Sequence, residues 1–282
     1  MTRLPGTSIA FQGERASFSE IAARKFFTKH VRFFSLQSFR DVFEHVAKKK
    51  VQFGVVPIEN SVYGSIHQNY DLLYLHKLHI VGEITLRIKL HLAALPGVGI
   101  DEIKSIFSQT QALGQCEDFL RRLKNVNVVS FHDTAGSARM VREAGRRDFA
   151  AIASVEAAKR YRLNIVRRNI ESNHENFTRF VVLSRAPAKA SLTGKTSLVF
   201  ATRNIPGVLF QALAGFALNE INLLKIESRP ILGKPWEYLF YLDIDGTPER
   251  PPFGQALKHL KDLSTMVRIL GSYRKGKIYK NS

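Results

Sequence analysis

From residue 8 to residue 161 the chain alternates strand-like and helix-like stretches, a pattern that leaves few folds open. Residues 8–12 read as a strand, and Ser17-Phe18-Ser19-Glu20 has the spacing of a capping box opening a helix to about Phe27. Ser38 to Asp41 opens a second helix, to about Lys49. Residues 52–57 form a valine-rich buried strand, 64–76 a helix with Ile66, Tyr70, Leu72 and Leu73 on its apolar face, and 80–95 one long extended run. Strands at 103–107, 127–131 and 149–153 then alternate with helices at 109–123, 134–144 and 155–161. Strand alternating with helix predicts α/β sheets with parallel strands.

The alternation stops at a break rich in small residues, 185–194, which contains Pro187 and Gly194 and reads as a linker. Beyond it, strands at 196–201, 222–228, 237–243 and 266–271 and helices at 206–218 and 253–263 give the order βαββαβ, the ferredoxin-like arrangement. The 282 residues thus divide into a large first unit and a small second one.

Charge raises one competing partner. The net charge of +18 and pI near 10.1 are those of many nucleic-acid binders. Yet from Lys195 onward there are thirteen basic and seven acidic residues, against twenty-nine and seventeen before it, so no dedicated basic arm stands out. A solvated basic surface is the favoured reading, nucleic acid is not, and such a surface suits a small dianionic substrate. No stretch approaches the roughly 20 apolar residues that span a bilayer. Residues 1–7 run into a strand with no secretory leader, and Cys116 has no partner for an intrachain disulfide, so a reducing, cytoplasmic setting is expected. The nine histidines are scattered, and no metal-ligand spacing, dinucleotide fingerprint or P-loop occurs, so no metal and no cofactor are expected.

The chemistry concentrates at strand ends. In Asn176-Phe177-Thr178-Arg179-Phe180 a hydroxyl and a guanidinium adjoin at the start of an apolar run. Strand neighbours point to opposite faces, so Thr178 and Arg179 share one only where the strand end bends. At a cleft rim the hydroxyl can donate a proton and the arginine can hold a carboxylate. Glu59-Asn60-Ser61 follows a buried strand and offers acid, amide and hydroxyl, although taken alone it reads more readily as a turn capped by Asn60 and Ser61. Ser108 to Gln111, and Asp133-Thr134-Ala135, stand at further strand-to-helix junctions, where free backbone N–H groups receive anions and Ser108 or Asp133 alternatively serves as a helix cap.

Read together, these segments resemble the prephenate dehydratase family. Residues 9–13 (IAFQG), 56–61 (VPIENS) with Gly64, Gln111-Ala112-Leu113 with Gln115-Cys116, Thr134-Ala135 and 176–180 (NFTRF) follow its order and spacing. Residues 65–73 and 79–83 are similar to bacterial dehydratases and to plant arogenate dehydratases. Gly207-Val208-Leu209-Phe210 and Glu227-Ser228-Arg229-Pro230 resemble the two phenylalanine-binding motifs of that family's ACT domain. The resemblance covers essentially the whole chain. It implies a catalytic unit over 1–185 with two lobes (about 1–95 with 168–185, and about 96–167), similar to the type II periplasmic-binding-protein fold. A linker at 186–194 and an ACT domain at 195–282 would follow. The chain would cross to the second lobe near 95–100 and return near 165–175.

The implied reaction is prephenate to phenylpyruvate with loss of water and carbon dioxide. Thr178 would assist the departing hydroxyl. Arg179, Asn60, Ser61, Ser108 and Gln111 would position the carboxylates, Glu59 is a candidate acid or base, and Phe180, Thr134 and Ala135 would line the site. L-phenylalanine would bind the two ACT motifs between paired domains, making a homodimer or homotetramer. The chain departs from the family at Gln109-Thr110, where histidine and proline are usual, and in the 14–17 loop. It also carries Asp133 in place of the usual serine, which looks like the plant arogenate enzymes. Arogenate as substrate, a catalytically weak amino-acid sensor and a polyanion binder are the competing readings.

Overall fold

The computed structural model describes residues 6–28, 30–189, 194–231 and 233–280; of the linker expected at 186–194, residues 190–193 lie outside that range. The chain runs β1 (Thr7–Gln12), α1 (Phe18–Phe26), β2 (Val31–Leu36), α2 (Phe39–Ala47), β3 (Phe53–Asn60), β4 (Gly64–Ser65), α3 (His67–Leu75) and β5 (His79–Arg87). The second lobe holds β6 (His91–Ala94), β7 (Ser105–Ser108), α4 (Thr110–Gln115), α5 (Glu117–Leu120), β8 (Asn127–Ser130), α6 (Thr134–Ala144), β9 (Phe149–Ala153), α7 (Val155–Arg160) and β10 (Asn164–Arg167). The chain returns to the first lobe as β11 (Phe177–Ser184). Then come β12 (Lys195–Ala201), α8 (Val208–Leu218), β13 (Leu223–Pro230), β14 (Tyr238–Asp245), α9 (Pro251–Leu263), β15 (Met266–Tyr273) and β16 (Lys277–Tyr279).

Local chemistry sets the helix starts. Ser17 accepts from the Glu20 amide to cap α1, and Ser38 and Asp41 cap α2 reciprocally. Asp133 and Ser154 cap α6 and α7. The helix expected over 109–123 is two short ones, α4 and α5, divided at the wholly buried Cys116. Gly64 and Ser65 pair with β3 instead of opening α3.

The first sheet has the order β16-β5-β11-β3-β1-β2, with β4 beside β3. β1 lies parallel to β2 and β3, whereas β11 lies antiparallel to both β3 and β5. The sheet is therefore mixed, not parallel throughout, because the returning strand re-enters between two strands already laid down. The second sheet has the order β10-β6-β9-β7-β8. Since β6 belongs to it, the run read as one extended stretch is two strands in two sheets. The crossing falls between Arg87 and His91, ahead of the 95–100 expected.

The third sheet, β13-β14-β12-β15, is antiparallel with the expected βαββαβ order. Every residue of its central β12 is buried, because both faces are covered. Leu198 and Phe200 pack under α8 and α9 with Phe216, Phe253 and Leu260. Val199 and Ala201 point the other way, into a core shared with Val56, Ile58, Leu73 and Val181 of the first lobe. The C-terminal unit is thus docked on the first lobe through a common apolar core. The approach is close: a Cβ on Gly271 of β15 would meet the Ile80 carbonyl oxygen at 2.0 Å. β16 then adds itself to the first lobe's sheet, parallel to β5. No helix among the described residues is long and apolar enough to cross a membrane.

Candidate active site

The end of β3 and the start of β11 lie side by side, and their register makes Asn60 the partner of Thr178. Both side chains face a cavity of about 570 Å³ between the two lobes. The Asn60 orientation is fixed by its neighbours. Its Oδ1 accepts from the backbone amides of Val62 and Tyr63, each at 2.9 Å, and amides can only donate. Its Nδ2 must then face Thr178 Oγ1 at 2.9 Å and Asn176 Oδ1 at 2.7 Å, with the Phe177 carbonyl at 3.2 Å. Thr178 Oγ1 therefore accepts from Asn60, and its own proton is left to donate into the cavity.

The register slips by one between Arg179 and Phe180, so β3 carries a bulge at Ile58 beside Pro57, which lacks the N–H a regular ladder would use. The bulge turns Pro57 and Asn60 to the cavity while Ile58 faces the C-terminal unit. Among the described residues lining the cavity there is no lysine or arginine. Apart from His67 and Asp133 the polar side chains there are uncharged, among them Ser17 and Ser19 at the start of α1, Thr134 at the start of α6, and the amides of Gln12, Gln109, Gln111 and Gln115. The first-turn N–H groups of α1 and α6 add positive dipole ends that suit anions. Among the described lining residues Asp133 is the one carboxylate; its Oδ1 accepts from the Gly136 amide at 2.7 Å. Tyr63 reaches across from the first lobe, so that a Cβ on Gly114 of α4 would sit 2.0 Å from its hydroxyl.

Of the residues expected at the site, Asn60, Gln111, Thr134, Thr178 and Phe180 line the cavity. The others stand elsewhere. Ser108 is wholly buried and donates to the Ile152 carbonyl at 2.7 Å, which makes it a tie between strands. Ser61 is exposed, donating to the Glu175 carbonyl and accepting from the Phe177 amide, so it staples the returning chain to β3. Ala135 is wholly buried. Arg179 points away from Thr178, as strand alternation requires of an unbent strand. Sequence reasoning missed Ser17, Ser65 and His67 as lining residues; the helix-start position of Ser17 and the family resemblance of residues 65–73 were the available signals.

On its own face the Arg179 side chain, 14% exposed, is surrounded by acids. Its guanidinium meets Glu59 at 3.2 Å, Glu83 at 3.1 Å and Asp243 of β14 at 2.6 Å. Lys195 adds contacts to Glu83 at 2.7 Å and Asp243 at 3.6 Å. Ser197 donates to Asp243, which leaves the Tyr273 hydroxyl to donate to Ser197 at 2.6 Å. Burial pushes the Asp243 carboxyl up, but Arg179, Lys195 and Ser197 outweigh it and hold the carboxyl below its ordinary value. Burial likewise works against the charged form of Arg179, yet Asp243 and Glu83 keep it firmly protonated.

The two motifs of the C-terminal unit meet through β14: Ser228 and Pro230 pair with Phe240 and Tyr238, which line the same cavity as Gly207. Gly207 to Phe210 open α8 and line a cavity of about 260 Å³ together with Trp236, Glu237 and Tyr238. On β13, Lys225, Glu227 and Arg229 turn inward to the first lobe while Ser228 and Pro230 are exposed. Glu227 accepts from Ser65 and pairs with His67 at 3.3 Å, and Arg229 forks onto Asp71 at 3.1 and 2.8 Å. Glu227 thus faces the first lobe, and Glu237 is the carboxylate among the described residues lining the Gly207 cavity.

Sequence comparison matches the prephenate dehydratase family over residues 9–188. The chain is similar to arogenate dehydratase/prephenate dehydratase 2, chloroplastic, of Arabidopsis thaliana, 43% identical over 276 residues, covering 94% of this chain and 72% of that protein. Among solved structures it is similar to a prephenate dehydratase from Arthrobacter aurescens in complex with L-Phe. That pair has a TM-score of 0.87 and 31% identity, covering 95% of this chain and 90% of the other. It is also similar to GqqA, described as a novel type of quorum quenching acylase, with a TM-score of 0.86 and 34% identity over 95% of this chain and 98% of that one.

Proposed function

The chain belongs to the prephenate dehydratase family, and from that premise we propose that it converts prephenate to phenylpyruvate in L-phenylalanine biosynthesis. The ring carboxylate leaves as carbon dioxide, the electron pair of its C–C bond enters the ring, and the ring C–O bond breaks. The departing oxygen takes up one proton and leaves as water. The observation that carries this reading is the Asn60–Thr178 hydrogen bond, which commits the Thr178 lone pair inward and its proton to the cavity. Thr178 polarises the leaving hydroxyl and passes it a proton that solvent in the cleft replaces, because threonine itself is a weak acid. A carboxylate that must lose its charge is best held by neutral donors, since a cationic clamp would stabilise the reactant more than the transition state. The Gln111 amide, Thr134 and the dipole ends of α1 and α6 meet that demand.

Asp133 favours a second substrate on the same machinery. Arogenate carries an ammonium where prephenate has a ketone, and a carboxylate in the cleft attracts it. An acylase activity is less suited: the group within hydrogen-bond reach of Thr178 Oγ1 is an amide donor, which cannot take its proton. For regulation, L-phenylalanine would enter the Gly207 cavity, its carboxylate on the first turn of α8 and its ammonium on Glu237. Phe210, Leu218 and Trp236 are 79, 82 and 77% exposed, and pairing of two C-terminal units would cover such side chains. The test is turnover of prephenate and arogenate in parallel, each with and without phenylalanine. Phenylpyruvate from prephenate, altered by phenylalanine, is the expected result. Preference for arogenate would establish the second substrate, and no product from either would overturn the catalytic reading.

A further inference from the structure

We propose that Arg179 is a positioning residue through which the C-terminal unit sets the placement of Thr178 in the cleft. This rests on the reading of Thr178 given above. Two adjacent rungs of one ladder serve two faces: Asn60 pairs with Thr178 toward the cavity, and Glu59 pairs with Arg179 toward the C-terminal unit. One register therefore fixes both. Arg179 is bound on the far side by Asp243, and Lys195 ties Asp243 to Glu83 of β5. Lys225 of β13 adds a second tie, meeting Glu59 and Ser65 at 3.0 Å each, and Ser65 lines the cavity.

These groups are not free to slide. Arg179, Asp243, Glu83 and Lys195 side chains are 14% exposed or less. Pulling β14 away from β11 would leave buried charges unpaired, which costs far more than moving β11 along with it. Strand β14 also lines the effector cavity through Tyr238 and Phe240, five and three residues before Asp243. A single strand thus touches the Gly207 cavity and the charged seam, and a second strand touches the seam and the cleft. Coupling through two rigid strands and one buried guanidinium gives the C-terminal unit a mechanical hold on Thr178.

The decisive experiment reads Thr178 directly, by ¹³C labelling of threonine methyls in the full chain, with the Thr178 signal assigned through Thr178→Ser. Asp243→Asn keeps the shape of the seam and removes one charge. It is expected to displace the Thr178 methyl resonance and to lower kcat about ten- to a hundredfold with little change in KM. Phenylalanine should still bind but no longer move that resonance. Arg179→Lys, which keeps the charge and loses the fork, should give the same displacement and serves if Asp243→Asn folds poorly. Lys275→Ala, which breaks only the exposed pair with Asp245, should leave the Thr178 signal where it is. A Thr178 resonance unchanged in both Asp243→Asn and Arg179→Lys would overturn the proposal. Absence of turnover in the wild-type chain would instead overturn the catalytic reading, while the methyl signal would still decide the coupling.

Discussion

Thr178 and Asn60 divide one hydrogen bond into a fixed part and a working part, and substitutions can separate the two. Thr178→Ala should lower kcat about 10²- to 10³-fold, the scale of removing one oriented donor, with the thermal midpoint little changed. Steady-state kinetics beside a melting curve checks both. Asn60→Asp keeps the acceptor for the Val62 and Tyr63 amides but removes the donor to Thr178. The hydroxyl should then turn to the carboxylate and away from substrate, with a kcat loss matching that of Thr178→Ala. Asp133→Asn preserves the helix cap while removing the charge, and should lower kcat/KM for arogenate about tenfold relative to prephenate. Asn60 and Thr178 were each legible in the sequence as strand-end candidates, but their hydrogen bond was not. The destination of Arg179 was not: it was expected to converge with Thr178 at the cleft rim, and nothing local says that a second unit waits on the opposite face with Asp243.

Between elements, fit is decided where backbones touch. Gly271 lets β15 lie against β5, and a methyl there would have to displace the Ile80 carbonyl. Gly271→Ala should cost about 1–3 kcal/mol of stability, the range for overpacking, and should loosen the docked C-terminal unit. Limited proteolysis in the 185–194 stretch would report the loosening. The helix starts were readable to the residue at Ser17, Ser38 and Asp133, because a cap is a local bond. β10 and β16 were not readable, being short strands with no buried residue and with pairing that comes from distant partners. The split of residues 80–95 between two sheets was hidden for a related reason: both halves are apolar, and periodicity does not say which sheet a strand joins.

At the level of the whole molecule, the charge has two separate jobs. With a net +18 and no lysine or arginine among the described residues lining the cleft, attraction acts at a distance and releases its grip at the reacting centre. Raising salt from about 0.01 M to about 0.5 M should lower kcat/KM for the substrate dianion severalfold and leave kcat nearly constant. The buried seam behaves differently. Asp243 is held below its ordinary value of 3.8, so its share of stability is present above that pH and is lost as pH falls through the lower folded value. Melting temperatures should drop steeply below pH 4 in the wild type and less so in Asp243→Asn, which starts lower. The total charge was plain in the sequence, but its arrangement was not, because Lys195 and Lys225 look like any surface lysines until the units meet. The order of the first sheet has one more consequence. Strand β16 is made after the whole C-terminal unit, yet it lies in a sheet whose other strands are made far earlier. A ribosome therefore delivers the edge of the catalytic lobe last, and until then β5 carries an unpaired flank that a chaperone, or another nascent chain, can occupy.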